Sequence, residues 1–435
     1  MILDIVQIVI NFSNLKNQIG CSQMDKYVYD NLYIYSLNTI HTMDQQIIEK
    51  RIFSKLEKLN CSNNGKIKNV NYLGKTLRIL SCRYSAIDQT GISQLKYLEN
   101  LDCSNNNKIN NVNHLKNTLK ILNCSYGCGI NQTGILQLKY LENLDCSNND
   151  KINNVNHLKN TLKVLNCSNN NCGICQKGVS ELQYLEKLYC KDNNKINNVN
   201  YLKNTLKILD CGWNCGVNQI GISELQCLEK LYCNDNNKIN NVNHLKNTLK
   251  ILDCSWNCGV NQIGISQLEY LEDLDSSYNG KINNVNHLKN TLKFLDCSAT
   301  GKYGINQEGI SELKYIEQLI CHQKSEINNV NHLKNTLKIL NCSLGCGIDQ
   351  IGISQLKYLQ NLYCHQNNKI NDMNHLKNTL KILFCGGDCG INQNGLSELR
   401  FLEYLNYDYN EKISNIDHLK SNKLHSILRD DLKIF

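Results

Sequence analysis

The sequence predicts an α/β repeat fold, a curved solenoid with a parallel β-sheet on its concave face and short helical or irregular returns on its convex face. Three observations predict it. The stretch Leu95–Cys103 returns unchanged at Leu138–Cys146, 43 residues later. Each such period holds two shorter repeats of the pattern L-x-x-L-x-C-x-x-N-x-x-I, one opening at Leu98 and one at Leu119. Successive openings from Leu56 to Leu402 fall 21 to 24 residues apart, which makes 17 repeats in tandem. A fixed period of that length signals a stack in which each repeat buries its apolar face only against its neighbours.

The elements follow in order along one repeat. In the L-x-C segment alternate side chains share a face, as a strand requires. Leu101 and Cys103 therefore point inward, and Asn100, Asp102 and Ser104 point outward onto the concave face. The turn asparagines Asn106, Asn149, Asn193, Asn236 and Asn279 recur in register and can satisfy backbone groups that no sheet ladder reaches. Ile109, Val112 and Leu115 then fill the core from the return side. Returns that carry Gly134-Ile135, Gly221-Ile222 or Gly264-Ile265 read as helical turns. The alternating Asn-Lys-Ile-Asn-Asn-Val-Asn-His-Leu returns read as tighter and less regular.

With Leu-Asp-Cys-Ser-Asn-Asn at 101–106 in place of L-x-L-x-x-N, the tandem array from Leu56 to Leu428 resembles the leucine-rich-repeat family. It is similar to such proteins of AT-rich giant DNA viruses or protists. The resemblance implies a leucine-rich-repeat solenoid and says little about function, because function resides in sites grafted on folds. The expected organisation is an irregular cap at 1–33, a degenerate leading repeat at 34–55, the solenoid of about 17 repeats at 56–423, and a closing cap at 424–435. Ile34, Leu37 and Thr39 carry the leading repeat. Leu424, Ile427 and Leu428 form a last partial strand, and Arg429, Asp430 and Asp431 end the stack with charge.

Composition narrows the function classes. The 435 residues contain no proline, only two alanines and only five arginines, the imprint of duplication in AT-rich coding sequence. The net charge of +8 is mild for this length, and the lysines sit at fixed repeat positions. That is a solvated rim, not the arginine-bearing basic face of a nucleic-acid protein. No apolar stretch reaches membrane-spanning length, and Met1–Ile10 lacks the basic start and cleavage site of a secretory leader.

Cysteine and histidine invite a chemical reading. Fifteen of the 24 cysteines, from Cys61 to Cys385, occupy one repeat position, with Ser276 and Tyr407 as replacements. A ladder on parallel strands points every thiol the same way, so it makes no metal cage. These are expected to be small buried hydrophobes. A second set, Cys128, Cys172, Cys215, Cys258, Cys346 and Cys389, occurs once per 43-residue period, too far apart for its members to bridge one another. So many free thiols favour a reducing, cytoplasmic compartment. His114, His157, His244, His287, His332, His375 and His418 share one position, where Tyr72 and Tyr201 substitute. A catalytic base is not built seven times with tyrosine as a spare, so no catalytic residue, cofactor or metal is expected.

The outward positions vary between repeats while the core positions do not. Tyr189, Asp210, Tyr232, Asp253, Asp275 and Asp296 lie between the inward Leu and Cys. Trp213, Trp256 and Tyr278 come just before the turn asparagine, and the two tryptophans are the only ones in the chain. Exposed aromatics among acids resemble a protein-binding hot spot. The expected function is a non-enzymatic protein-interaction scaffold that binds its partner on the concave face, with no small-molecule substrate. The alternative is a substrate-recruiting adaptor of a ubiquitin ligase, in which an F-box-like 1–33 docks the ligase. The absence of proline, and so of a Leu-Pro opening, speaks against it.

Overall fold

A computed structural model of the chain describes residues 33–39, 43–298, 304–323 and 325–420. The expected cap at 1–33, apart from Tyr33, and the closing segment 424–435 lie outside the described residues, as does any ligase-docking module. The chain divides into two compact halves. One runs to Asp210 and takes in Asn214–Val217. The other comprises Cys211–Trp213 and the residues from Asn218 onward.

Among its described residues, the N-terminal half contains nine three-residue strands. These are β1 (Ser36–Asn38), β2 (Lys58–Asn60), β3 (Ile79–Ser81), β4 (Asn100–Asp102), β5 (Ile121–Asn123), β6 (Asn143–Asp145), β7 (Val164–Asn166), β8 (Lys187–Tyr189) and β9 (Ile208–Asp210). Every consecutive pair is parallel, with the central leucines in register, Leu37 beside Leu59 and Leu101 beside Leu122. Among its described residues, the C-terminal half holds nine more: β10 (Lys230–Tyr232), β11 (Ile251–Asp253), β12 (Asp273–Asp275), β13 (Phe294–Asp296), β14 (Gln318–Ile320), β15 (Ile339–Asn341), β16 (Asn361–Tyr363), β17 (Ile382–Phe384) and β18 (Tyr404–Asn406). They too pair in parallel, leucine beside leucine.

The core is one repeat's apolar set copied along the stack. Leu98, Leu101, Cys103, Ile109, Val112 and Leu115 are all fully buried. Burying each leucine or isoleucine contributes roughly 1.5–3 kcal/mol, and each repeat supplies several. In the leading segment Ile34, Leu37, Ile48, Ile52 and Phe53 are buried as well, and the Ile34 amide donates to the Ile52 carbonyl.

Three polar ladders join the repeats. The first is the turn asparagine: Asn149 donates to the carbonyls of Cys124 and Ile130 in the preceding repeat and accepts from the Lys151 amide. Asn193, Asn279, Asn367 and Asn410 repeat the pattern. The second is a glutamine clamp. Gln132 donates to the Asn154 carbonyl at 2.8 Å while its oxygen accepts from the amides of Asn153 and Asn154. The third is the histidine position. The ring of His244 meets the Ile222 carbonyl at 3.0 Å, and Tyr72 reaches the Ile48 carbonyl from the same place. These bonds pair carbonyls and amides that the three-residue strands leave over.

The two kinds of return alternate. The helical turns at Gln219–Ile222, Gln262–Ile265 and Gln350–Ile353 are single α-turns, while the one at Gln132–Gly134 is a 3-10 turn. The returns expected to be tighter and less regular carry a 3-10 turn, as at Asn113–Leu115, Asn156–Leu158 and Asn243–Leu245, except at Asp417–Lys420, where the turn is α. The histidine bond and the buried leucine at its end pin that turn against the preceding repeat.

Candidate binding face

The strands turn one face to the core and the other outward, but the outward face is narrower than alternation predicts. Asp102 ends β4, and Ser104 is buried at 3% exposure, a correction to its expected outward position. The reason is the strand's length. Alternation stops at Asp102, where the chain bends, and the Ser104 amide and hydroxyl both donate to the Asp102 carboxylate, the hydroxyl at 2.8 Å. The same turn recurs at Asp253 with Ser255, Asp275 with Ser277 and Asp296 with Ser298. Asn123 serves it equally well with Ser125. A side-chain oxygen at this position therefore caps the turn without needing a negative charge.

In the N-terminal half, Tyr189 ends β8 directly beside Asp210, which ends β9, and both are half-buried on the outward face. In the C-terminal half, Tyr232 stands beside Asp253, Asp253 beside Asp275, and Asp275 beside Asp296. Adjacent strands are about 4.8 Å apart, so three carboxylates line up in one row. A fourth acid was missed: Asp273, at the other outward position of β12. Burial, then Asp275 and Asp253, push the Asp273 carboxyl up to about 6, while Lys230 works the other way. Burial and then Asp275 push Asp296 up to about 6 as well.

Trp213 and Trp256 project from the turn that follows the strand and are 49% and 55% exposed. Their backbone is left-handed, with φ of 60° at both, and Tyr278 shares the conformation at 56°. Each is locked there by an amide bond into the next repeat, Trp213 to Asn234 and Trp256 to Ser277, both 2.7 Å. Trp256 stacks on Tyr278 with ring centroids 4.7 Å apart, and the Tyr278 hydroxyl donates to Gln323. A second aromatic group was also missed. Phe384 stacks between Tyr363 and Tyr404, at 4.9 and 5.0 Å. Tyr404 and Asp273 occupy the first outward position of their strands, one turn of alternation before the position that holds Asp275 and Asn406.

The thiols hold a further surprise. The members of the second set do not meet one another, as their spacing predicts, but they meet the ladder. Each member lies against a ladder cysteine of the preceding repeat, with sulfurs 3.6 Å apart in Cys103–Cys128, Cys190–Cys215, Cys233–Cys258, Cys321–Cys346 and Cys364–Cys389. The signal was present as a constant offset of 25 residues. Among the described residues no three His, Cys, Asp or Glu side chains converge on a metal-sized site, and no helix is long and apolar enough to cross a membrane.

No protein-family model matches this sequence, and no curated protein is similar to it. Solved structures do resemble it. TLR13, crystallised in a complex with ssRNA13, aligns at a TM-score of 0.55 and 21% identity over 91% of this chain, which spans 61% of the length of that chain. The functional domain of InlJ from Listeria monocytogenes, described as including a cysteine ladder, aligns at 0.46 and 23% identity over 78% of this chain and 69% of its own. A leucine-rich-repeat protein of Leptospira interrogans aligns at 0.38 and 21% identity over 94% and 92% of the two chains. The parallel register, the repeating returns and the likeness to TLR13 make the fold that of a leucine-rich-repeat solenoid.

Proposed function

We propose that the chain is a non-enzymatic protein-interaction scaffold whose outward sheet face takes a basic, partly apolar partner segment. The observation that carries this reading is the acidic row Asp253, Asp275 and Asp296, joined by Asp273, beside the stacked Trp256 and Tyr278. Asparagine would hold the same strand-end turn without charge, as Asn123 does. The accumulated carboxylates therefore cost folding energy and gain only when a cation approaches. The rings supply apolar area and faces for a guanidinium or ammonium. The same acids disfavour a phosphate backbone.

The two tryptophans make the test direct, since they are the only indoles in the chain. Tryptophan emission is followed while a synthetic peptide of alternating arginine and leucine is added, and then its glutamate counterpart. The basic peptide should shift the emission and the acidic one should not. Trp213→Ala with Trp256→Ala, followed by labelling the peptide instead, should weaken binding at least tenfold with an unchanged circular dichroism spectrum, as anchors worth about 2 kcal/mol imply. Equal response to both peptides, or binding unchanged in the double variant, rejects the reading.

A further inference from the structure

We propose that the five cysteine pairs are reversible dithiol sites, which a small peroxide or disulfide-type oxidant closes into cross-links between neighbouring repeats. In each pair two sulfurs from repeats 25 residues apart stand 3.6 Å from each other in the core. A disulfide requires them to close by roughly 1.5 Å, within reach of a side-chain rotation. Cys146 and Cys172 also touch through their thiols, but there the Cys172 thiol is turned to the Cys146 carbonyl at 3.4 Å.

In four of the pairs the two partners are chemically unequal, which suits thiol–disulfide chemistry. Cys128 shares a hydrogen bond with Cys103 and accepts one from the Ile130 amide, and the Lys151 ammonium lies nearby on the Cys128 carbonyl at 3.2 Å. These contacts hold its thiol below the ordinary cysteine range. Cys103 is pushed well above that range by its hydrogen bond to Cys128 and by burial. The same opposition holds for Cys258 with Cys233, Cys346 with Cys321 and Cys389 with Cys364. Lys281 and Lys412 donate to the carbonyls of Cys258 and Cys389 as Lys151 does to Cys128. The second-set cysteine is thus the nucleophile and the ladder cysteine the resolving thiol.

With hydrogen peroxide the atoms balance. The Cys128 sulfur attacks one peroxide oxygen, the O–O bond breaks, and the departing hydroxide takes the thiol proton and leaves as water. Cys103 then attacks the sulfenic sulfur, the S–S bond forms, and the displaced hydroxide takes the Cys103 proton as a second water. Two thiols lose two electrons and one peroxide gains them. All ten sulfurs are buried, so the oxidant enters when the overlying surface turn opens. That turn is the left-handed one, which places Tyr126, Trp213, Trp256 and Leu344 two residues before their cysteines.

Sequence variation marks internal controls. Cys61 holds the ladder place, but Ser85 and Ala86 stand where its partner would come. Ser276 replaces the ladder cysteine in the one later period whose following sequence, between Cys297 and Ile305, contains no cysteine. In the experiment the native full-length chain, freed of reductant, is treated with hydrogen peroxide or diamide. It is then alkylated in denaturant, digested with trypsin and mapped by mass spectrometry. The expected result is five links, Cys103–Cys128, Cys190–Cys215, Cys233–Cys258, Cys321–Cys346 and Cys364–Cys389, reversed by dithiothreitol, with Cys61 and Cys82 still thiols. Cys128→Ser should remove only the first link and leave Cys103 alkylated. The proposal is overturned if these ten remain thiols while the half-exposed Cys175 and Cys227 react. It is equally overturned if links form elsewhere, such as Cys124–Cys128, or if Cys103 is still cross-linked in the Cys128→Ser chain.

Discussion

Trp256 occupies a backbone conformation that asparagine and aspartate adopt elsewhere in the same chain. Asn63, Asn105, Asn148, Asp192 and Asp235 hold the equivalent left-handed place. For a bulky L-residue that conformation costs roughly 1–2 kcal/mol, and asparagine relieves part of it with its short polar side chain. The Trp256–Tyr278 stack returns about 1 kcal/mol. The two effects nearly cancel, so Trp256→Asn should change unfolding stability by less than about 1 kcal/mol in a urea titration. Peptide binding should nevertheless fall severalfold. A loss of stability well beyond that margin would make the indole a packing residue.

The aspartate row allows a sharper test at the same scale. Asp296 has a folded carboxyl at about 6 against an ordinary value of 3.8. A raised folded value means that its favourable contribution is present below pH 3.8 and lost as pH rises through about 6. At neutral pH the ionised group therefore costs stability on the order of 2 kcal/mol. Asp296→Asn keeps the oxygen that caps the Ser298 turn and removes the charge. Its chain should unfold at higher urea than the parent at pH 7 and at about the same urea at pH 3.5. The histidine ladder titrates in the opposite sense, since burial lowers His114, His157, His244, His287, His332 and His375. Their contribution is present above pH 6.5 and lost as pH falls. Parent and variant share it, so the difference between them isolates Asp296.

At the scale of the element, the return decides how closely repeats stack. The Val242 amide donates to the Gly264 carbonyl at 2.9 Å, and a methyl group on Gly264 would collide with the Asn240 carbonyl. Glycine is required there by close approach and not by its torsion angles. Gly264→Ala must push two repeats apart, and the expected cost is 2 kcal/mol or more, by analogy with overpacked cores. Thermal unfolding followed by circular dichroism measures it. A variant as stable as the parent would mean that the stack slides to absorb a methyl group. The pairing of returns and strands also explains why a three-residue strand suffices here. The ladder runs on past each strand through amide-to-carbonyl bonds such as Cys103 to Asn123 and Asn105 to Ser125, and asparagine and glutamine bonds join the turns and returns.

At the scale of the molecule, charge is segregated by position. The lysines that precede the strands pair with glutamates of the neighbouring repeat, as in Lys120–Glu99, Lys163–Glu142, Lys293–Glu272 and Lys338–Glu317 at 2.7 to 2.9 Å. All are about half-exposed, and such pairs contribute little each. The aspartate row instead gathers like charges side by side on the outward face, Asp253 beside Asp275 and Asp275 beside Asp296. Salt should therefore separate folding from binding. Raising sodium chloride from about 0.05 to 0.5 M, which shortens the screening length severalfold, should barely move the melting temperature. The same change should weaken the basic peptide severalfold. Binding indifferent to salt would remove the acids from the interface and leave the rings alone.

The sequence by itself determined the repeat, its period, the strand positions and the identity of the core. Leu101, Cys103, Ile109, Val112 and Leu115 could be placed from spacing because apolar burial repeats with the chain's own period. The leucine-rich-repeat fold class was legible for the same reason. What only the tertiary structure decided lies where neighbouring repeats meet at an offset. Cys128 meets Cys103, Gln132 clamps Asn154, and Phe384 stacks between Tyr363 and Tyr404. A pattern read along the chain shows which residues share a face. The distance between residues of different repeats follows from the register and bend of the turns, and no residue type encodes that alone. Ser104 marks the boundary: alternation sends it outward, and the turn after Asp102 folds it back under its own strand.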